Sequence, residues 1–192
     1  MKKFALATLL ALLAAPAMAH PGHGVSGFEA GVTHPLLGAD HLLAMLTVGL
    51  WSGFALPRRA WAGPAAFLGA MIVGAALGFA GLVLPGAELA ITGSVVVFGL
   101  MVAFARPGRS ASLPAGTLAA IAAFALFHGY AHAAEATGAA SLFVAGFIAS
   151  TAMLHLVGVV LARAIASGRG AAMLRRGLGL AVVTGGLALI GG

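Results

Sequence analysis

Cysteine is absent from this chain of 192 residues, and charged side chains make up only 7% of it. Without cysteine the chain forms no disulfide and offers no thiolate to a metal, so any metal ligand must be histidine, carboxylate, methionine or backbone oxygen. Ordinary globular domains carry about a quarter charged residues. Because 61% of the residues are hydrophobic, the composition predicts an all-α integral membrane protein with a single domain.

Acidic residues are also scarce, and the formal net charge is +6. The basic residues lie in short breaks between apolar runs and do not form one polar surface, so we expect a lipid bilayer as partner and no nucleic acid. The sequence has no Walker-type Gly-x-x-x-x-Gly-Lys-Ser/Thr stretch. This absence excludes ATP hydrolysis of the P-loop kind by this chain.

Residues 1–19 have the layout of a secretory signal peptide. Lys2-Lys3 forms the basic start, residues 4–15 form the apolar core, and Ala17-Met18-Ala19 is a small-x-small cleavage site. The apolar core is short for a membrane span and is broken by Pro16. We therefore predict that this segment is cleaved and does not remain as a first helix.

Cleavage would leave an extracytoplasmic segment, residues 20–33, at the start of the mature chain. His20 would carry the free amine, and His23 follows three residues later. Both imidazoles are candidates for a secondary contact with a metal.

The remaining part, residues 34–192, divides into six apolar runs separated by Pro, Gly and Arg turn signals. Each run is near the roughly 20 residues that a helix needs to cross a bilayer. We therefore predict a domain of six transmembrane helices. The runs cover residues 34–56, 63–84, 88–105, 114–136, 139–162 and 172–190.

Charge predicts the orientation of these six spans. The arginines cluster after the first, third and fifth runs, at Arg58, Arg59, Arg106, Arg109, Arg163, Arg169, Arg175 and Arg176. The positive-inside rule assigns these breaks to the cytoplasm, so both mature termini are expected outside it. The acids fall at or near the opposite ends of the runs, where they would attract cations, at Glu29, Asp40, Glu88 and Glu135.

Metal-capable side chains open the first run. His34 and His41 are seven residues apart, and Asp40 precedes His41. With Pro35 in the first turn of a helix and His34 as its cap, both histidines would lie on nearly the same helical face. Ionisable residues inside a membrane are costly and indicate a substrate pathway by default.

A second group lies near the outer end of the fourth run. His128 and His132 are four residues apart and Glu135 is three further on, so the three side chains project from one helical face. Because both groups lie at a similar depth on the same side, two helices could form one site. Imidazoles and carboxylates suit divalent first-row metals such as nickel, cobalt, copper and zinc.

Two further residues are candidates for secondary metal contacts. His155 stands alone in the fifth run, towards the cytoplasmic side, and Met45 lies four residues after His41. The competing interpretations are a histidine hydrogen-bonded between helices and a methionine packed in the apolar core.

These motifs resemble those of the HupE/UreJ family, a group of small membrane proteins linked to nickel or cobalt uptake. The matching elements are His34-Pro35, Gly38, Asp40-His41-Leu42, Ala44-Met45, Phe127-His128-Gly129, Ala131-His132 and Glu135, with Ala133 where the family pattern has glycine. The residues alone indicate a membrane protein with an outward-facing divalent-metal site.

The resemblance implies a permease, not an enzyme. It implies import of Ni2+ or Co2+ across the bacterial inner membrane for metalloenzyme or cobalamin maturation, with the metal as cargo and not as a permanently bound cofactor. The orientation predicted above makes the site face the periplasm. A homo-oligomer is compatible with the sequence.

Three other functions fit the same residues. A membrane haem protein would use histidine pairs as axial ligands on facing helices. A metal-dependent membrane hydrolase would use the metal to activate water, with Glu135 as the general base. A metal chaperone or sensor would bind the cation without transporting it.

Overall fold

The computed structural model describes residues 27–106, 115–136, 139–166 and 170–191. These residues form seven helices joined by turns and short connections, in agreement with the predicted all-α class. The helices are α1 (Phe28–Leu37), α2 (Ala39–Ala55), α3 (Ala62–Phe79), α4 (Ala87–Ala103), α5 (Ala115–Glu135), α6 (Ala140–Ile165) and α7 (Ala171–Gly191). The predicted signal peptide, His20 and His23 lie outside the described residues, so these predictions stay predictions.

Helices α3 to α7 fall within a few residues of the last five predicted apolar runs. Four of them (α3, α5, α6 and α7) are long and apolar enough to cross a membrane, and the α1–α2 pair makes a fifth if it counts as one bent span. Helix α4 is apolar but shorter, with 17 residues. The chain is a multi-pass membrane protein, and the count of six spans stays a prediction.

The first predicted span differs from the structure. The helix begins at Phe28, so residues 28–33 of the predicted N-terminal segment are helical, and Pro35 lies in the last turn of α1. The prediction that His34 caps a helix beginning at Pro35 was therefore wrong. Gly38 follows α1 and has an extended backbone with φ −87° and ψ 115°. The axes of α1 and α2 consequently meet at 85°.

The most extensive helix contacts are those of α3 with α5 and of α4 with α7. Helix α6 packs against both α1 and α2. Gly74 of α3 lies against the backbone of Leu126 in α5, and Gly129 of α5 lies against the backbone of Met71 in α3. A Cβ atom at either glycine would overlap the facing backbone, so glycine at these positions lets the two helices pack closely. This contact holds the histidine-bearing end of α5 against α3.

Helix α2 occupies the centre of the bundle, with Ala44, Met45 and Val48 fully buried. At its far end, Arg163 Nη2 in α6 donates a hydrogen bond of 3.4 Å to the carbonyl oxygen of Pro57, in the turn after α2. The arginine-bearing ends of α2 and α6 therefore lie together, a full helix length away from the junction of α1 and α2.

Candidate metal site

Three imidazoles from three helices meet where α1, α2 and α5 come together. His34 lies in the last turn of α1, His41 in the first turn of α2 and His132 in the last turn of α5. One nitrogen from each ring can be chosen so that all three nitrogens lie within 4.8 Å of one another. The ring of His132 is central, with centroid distances of 4.7 Å to His34 and 4.3 Å to His41.

Two carboxylates hold these rings in place. Glu135 Oε2 lies 3.0 Å from His34 Nε2 and 3.0 Å from His132 Nδ1. Asp40 Oδ1 pairs with His41 Nδ1 at 2.5 Å and accepts the backbone N–H of His41 at 2.7 Å. Asp40 and Glu135, which the sequence predicts as metal ligands, are thus the hydrogen-bond partners of the histidines.

The other nitrogens of two of these rings have no partner. His41 Nε2 and His132 Nε2 are buried and make no hydrogen bond. A carboxylate on Nδ1 favours the tautomer with its proton there and leaves the lone pair on Nε2. A buried polar atom without a partner costs about 1–3 kcal/mol, and a bound cation would remove that cost. The arrangement is the one that metal-binding histidines usually have.

The electrostatic field of the helix ends favours a cation at this site. His34 and His132 lie at the C-terminal ends of α1 and α5, where unpaired carbonyl groups carry partial negative charge and attract cations. His41 lies at the positive N-terminal end of α2, and Asp40 in the same turn opposes that charge. The junction of the three helices is therefore suited to a positive ion.

Aromatic rings of α6 close one side of the site. The Phe147 ring lies 4.0 Å from that of His132 between centroids, and the Phe143 ring lies 5.8 Å from that of His34. Neither phenylalanine was identified from the sequence, because a phenylalanine in an apolar run has no distinguishing signal. Their effect is to exclude water from one face of the imidazoles.

His128 is not one of these three histidines but lies next to them. Its side chain is fully buried one turn deeper in α5, with its ring 5.0 Å from that of His41. Its Nε2 atom is 3.1 Å from the hydroxyl of Ser94 in α4, a partner that was not identified from the sequence. His155 is buried in the middle of α6 with its ring 5.0 Å from that of Phe67, and Met45 belongs to the apolar core around α2.

The chain is similar in sequence to known proteins. The family model described as HupE / UreJ protein matches residues 8–189. Protein HupE of Rhizobium leguminosarum bv. viciae is 38% identical to the chain over 201 residues, and the alignment covers 100% of both proteins. No solved structure matches the chain.

Proposed function

The chain belongs to the HupE/UreJ family, and we propose that it is a secondary transporter that imports a divalent transition-metal ion. The proposed cargo is Ni2+, with Co2+ as the alternative, because both ions accept imidazole ligands. The imported ion would supply metalloenzyme or cobalamin maturation. The family is of the membrane-transporter type and not an enzyme family, which agrees with a role in transport.

A single observation carries this proposal: three imidazoles from three separate helices bring one nitrogen each within 4.8 Å. His41 and His132 each present a buried nitrogen without a hydrogen-bond partner, while a carboxylate holds the other nitrogen. Structural histidines between helices normally satisfy both nitrogens, so this pattern favours a ligand role.

The proposed topology has six crossings. The bent α1–α2 pair counts as the first and the shorter α4 as the third, and the predicted signal peptide is removed. The arginine-bearing ends of the helices face the cytoplasm by the positive-inside rule. The site would then face the periplasm from the inner membrane, and the exposed carboxylates of Glu29 and Glu88 would raise the cation concentration near it.

The geometry also bears on the rival functions. The imidazoles of His34, His41 and His132 contact one another edge to face, which leaves no gap among them for a porphyrin. Glu135, the candidate general base of a hydrolase, already accepts hydrogen bonds from two histidines. Both observations weigh against haem binding and hydrolysis, whereas a chaperone or sensor would use the same site as a transporter.

The test is uptake of radioactive nickel and cobalt into proteoliposomes that contain the purified full-length protein. We expect His41→Ala and His132→Ala to reduce uptake at least about tenfold, since even partners of metal ligands typically contribute 10- to 100-fold. The control is Gly69→Ala in α3, where an added Cβ would meet no atom within 4 Å. Metal binding without uptake would establish a sensor or chaperone, and a Soret band in the absorption spectrum would establish a haem protein.

A further inference from the structure

Two fully buried histidines lie inward of the three that form the candidate site. His128 is one turn deeper than His132 in α5, about 6 Å along the helix, and His155 lies in the middle of α6. Their side chains are 0% and 1% exposed. The capture of a cation by the outer three histidines makes no use of either.

Ser94 determines which nitrogen of His128 carries the lone pair. The Ser94 hydroxyl donates its single proton to the carbonyl oxygen of Ile91 at 2.6 Å. At 3.1 Å from His128 Nε2 the same oxygen must therefore accept, so the imidazole proton is on Nε2. The lone pair is then on Nδ1, which is buried and has no hydrogen-bond partner.

Neither ring nitrogen of His155 makes a hydrogen bond of normal geometry, and the neighbouring backbone group is that of Thr151, one turn earlier in α6. Each unsatisfied buried polar atom costs about 1–3 kcal/mol, and leucine would fill the same space without that cost. A group that is costly to bury and lacks a structural partner calls for a functional explanation.

The ring of Phe67 contacts both of these histidines. Its centroid is 5.4 Å from that of His128 and 5.0 Å from that of His155, and the side chain is fully buried in α3. Phe98 of α4 contacts the ring from another side, at 6.5 Å. The Phe67 ring therefore forms part of the surroundings of both imidazoles.

We infer that His128 and His155 form an inner binding position for the imported cation, with Ser94 orienting His128 and the Phe67 ring lying against both imidazoles. This inference rests on the proposed transport function. The ligands are neutral imidazole nitrogens, so the inner position takes the same class of cargo as the outer one, a divalent first-row metal ion. A rotation of the Phe67 side chain would give the cation access to both imidazoles.

The principal test is His155→Leu in the full-length protein. Leucine removes both unpartnered nitrogens from an apolar surrounding, so we expect the melting temperature to be retained or raised. Co2+ binding at the outer position, followed by its visible absorption spectrum, should stay within about twofold of wild type, whereas nickel uptake into proteoliposomes should fall at least about tenfold. Wild-type uptake by this variant would overturn the inference, and so would an equal loss of binding and uptake.

Ser94 provides an independent test. Ser94→Ala removes the acceptor for His128 Nε2, so we expect uptake to fall about tenfold. Ser94→Thr keeps the hydroxyl and should restore most of it. A threonine variant as impaired as the alanine variant would show that Ser94 acts through packing and would overturn its assignment as a positioning residue.

The two levels of the proposal fail differently. If proteoliposomes with the wild-type protein take up no more nickel or cobalt than empty liposomes do, the proposed function itself is wrong. If His41→Ala abolishes uptake while His155→Leu does not, the transport function stands and only the inner binding position is lost.

Discussion

Glu135 at the end of α5 and His34 at the end of α1 are joined by a contact of 3.0 Å between Oε2 and Nε2. The two residues are far apart in the sequence, and the same carboxylate oxygen also pairs with Nδ1 of His132. One side chain therefore orients two imidazoles that come from different helices. The position of His34 at the site depends on this carboxylate and on the packing of α1 against α6.

This contact predicts the effect of Glu135→Gln. Glutamine keeps the size and one acceptor oxygen but loses the charge that holds both imidazoles. We expect the nickel dissociation constant, measured by isothermal titration calorimetry, to rise about 10- to 100-fold. Gly69→Ala, which adds a methyl group where no atom lies within 4 Å, is the control and should leave the dissociation constant unchanged. An unaltered dissociation constant in Glu135→Gln would mean that the two rings hold their positions without the carboxylate.

Asp40 is expected to act through His41. Asp40→Asn should weaken nickel binding about 10- to 100-fold, because the amide no longer holds Nδ1 as a carboxylate does. His41→Ala removes the ligand itself. If Asp40 only positions His41, adding Asp40→Asn to His41→Ala should have little further effect, which a double-mutant cycle of dissociation constants measures. Additive losses would instead identify Asp40 as a direct ligand of the cation.

The contact between α3 and α5 predicts a difference between two glycines of the same helix. A Cβ at Gly74 would overlap the backbone of Leu126, whereas a Cβ at Gly69 would meet no atom within 4 Å. We expect Gly74→Ala to lower stability by about 1–3 kcal/mol through overpacking. Gly69→Ala should be neutral or slightly stabilising, because alanine favours the helix. Melting temperatures in detergent compare the two, and similar values would contradict the packing described for α3 and α5.

The absence of cysteine makes the proposed topology directly measurable. Val83 is 81% exposed in the connection between α3 and α4, and Arg59 is exposed in the turn between α2 and α3. In spheroplasts, a membrane-impermeant maleimide should label Val83→Cys before lysis and Arg59→Cys only after it. Labelling of both positions in intact spheroplasts would refute the orientation, and the reverse pattern would invert it.

The apolar runs predicted the helices well because the length of a membrane span and its turn residues are local properties. The bend at Gly38 was missed, since glycine is common in membrane helices and proline is most frequent in the first turn of a helix, not in the last turn where Pro35 lies. The contacts between side chains of different helices could not be predicted from the sequence either. Nothing local connects Ser94 to His128 or Phe67 to His155, and only the packed bundle brings these pairs together.

The 85° bend between α1 and α2 divides the site residues between two parts of the chain. Of the candidate site residues only His34 lies in the short helix α1, while the others lie in the longer helices that follow it. Substitutions along Phe28–Leu37 should therefore change the affinity of the outer site for scarce metal and leave the inner binding position unchanged. We expect relatives from metal-poor and metal-rich surroundings to differ mainly in α1. The same helix is the place to substitute residues when a higher or lower metal affinity is wanted.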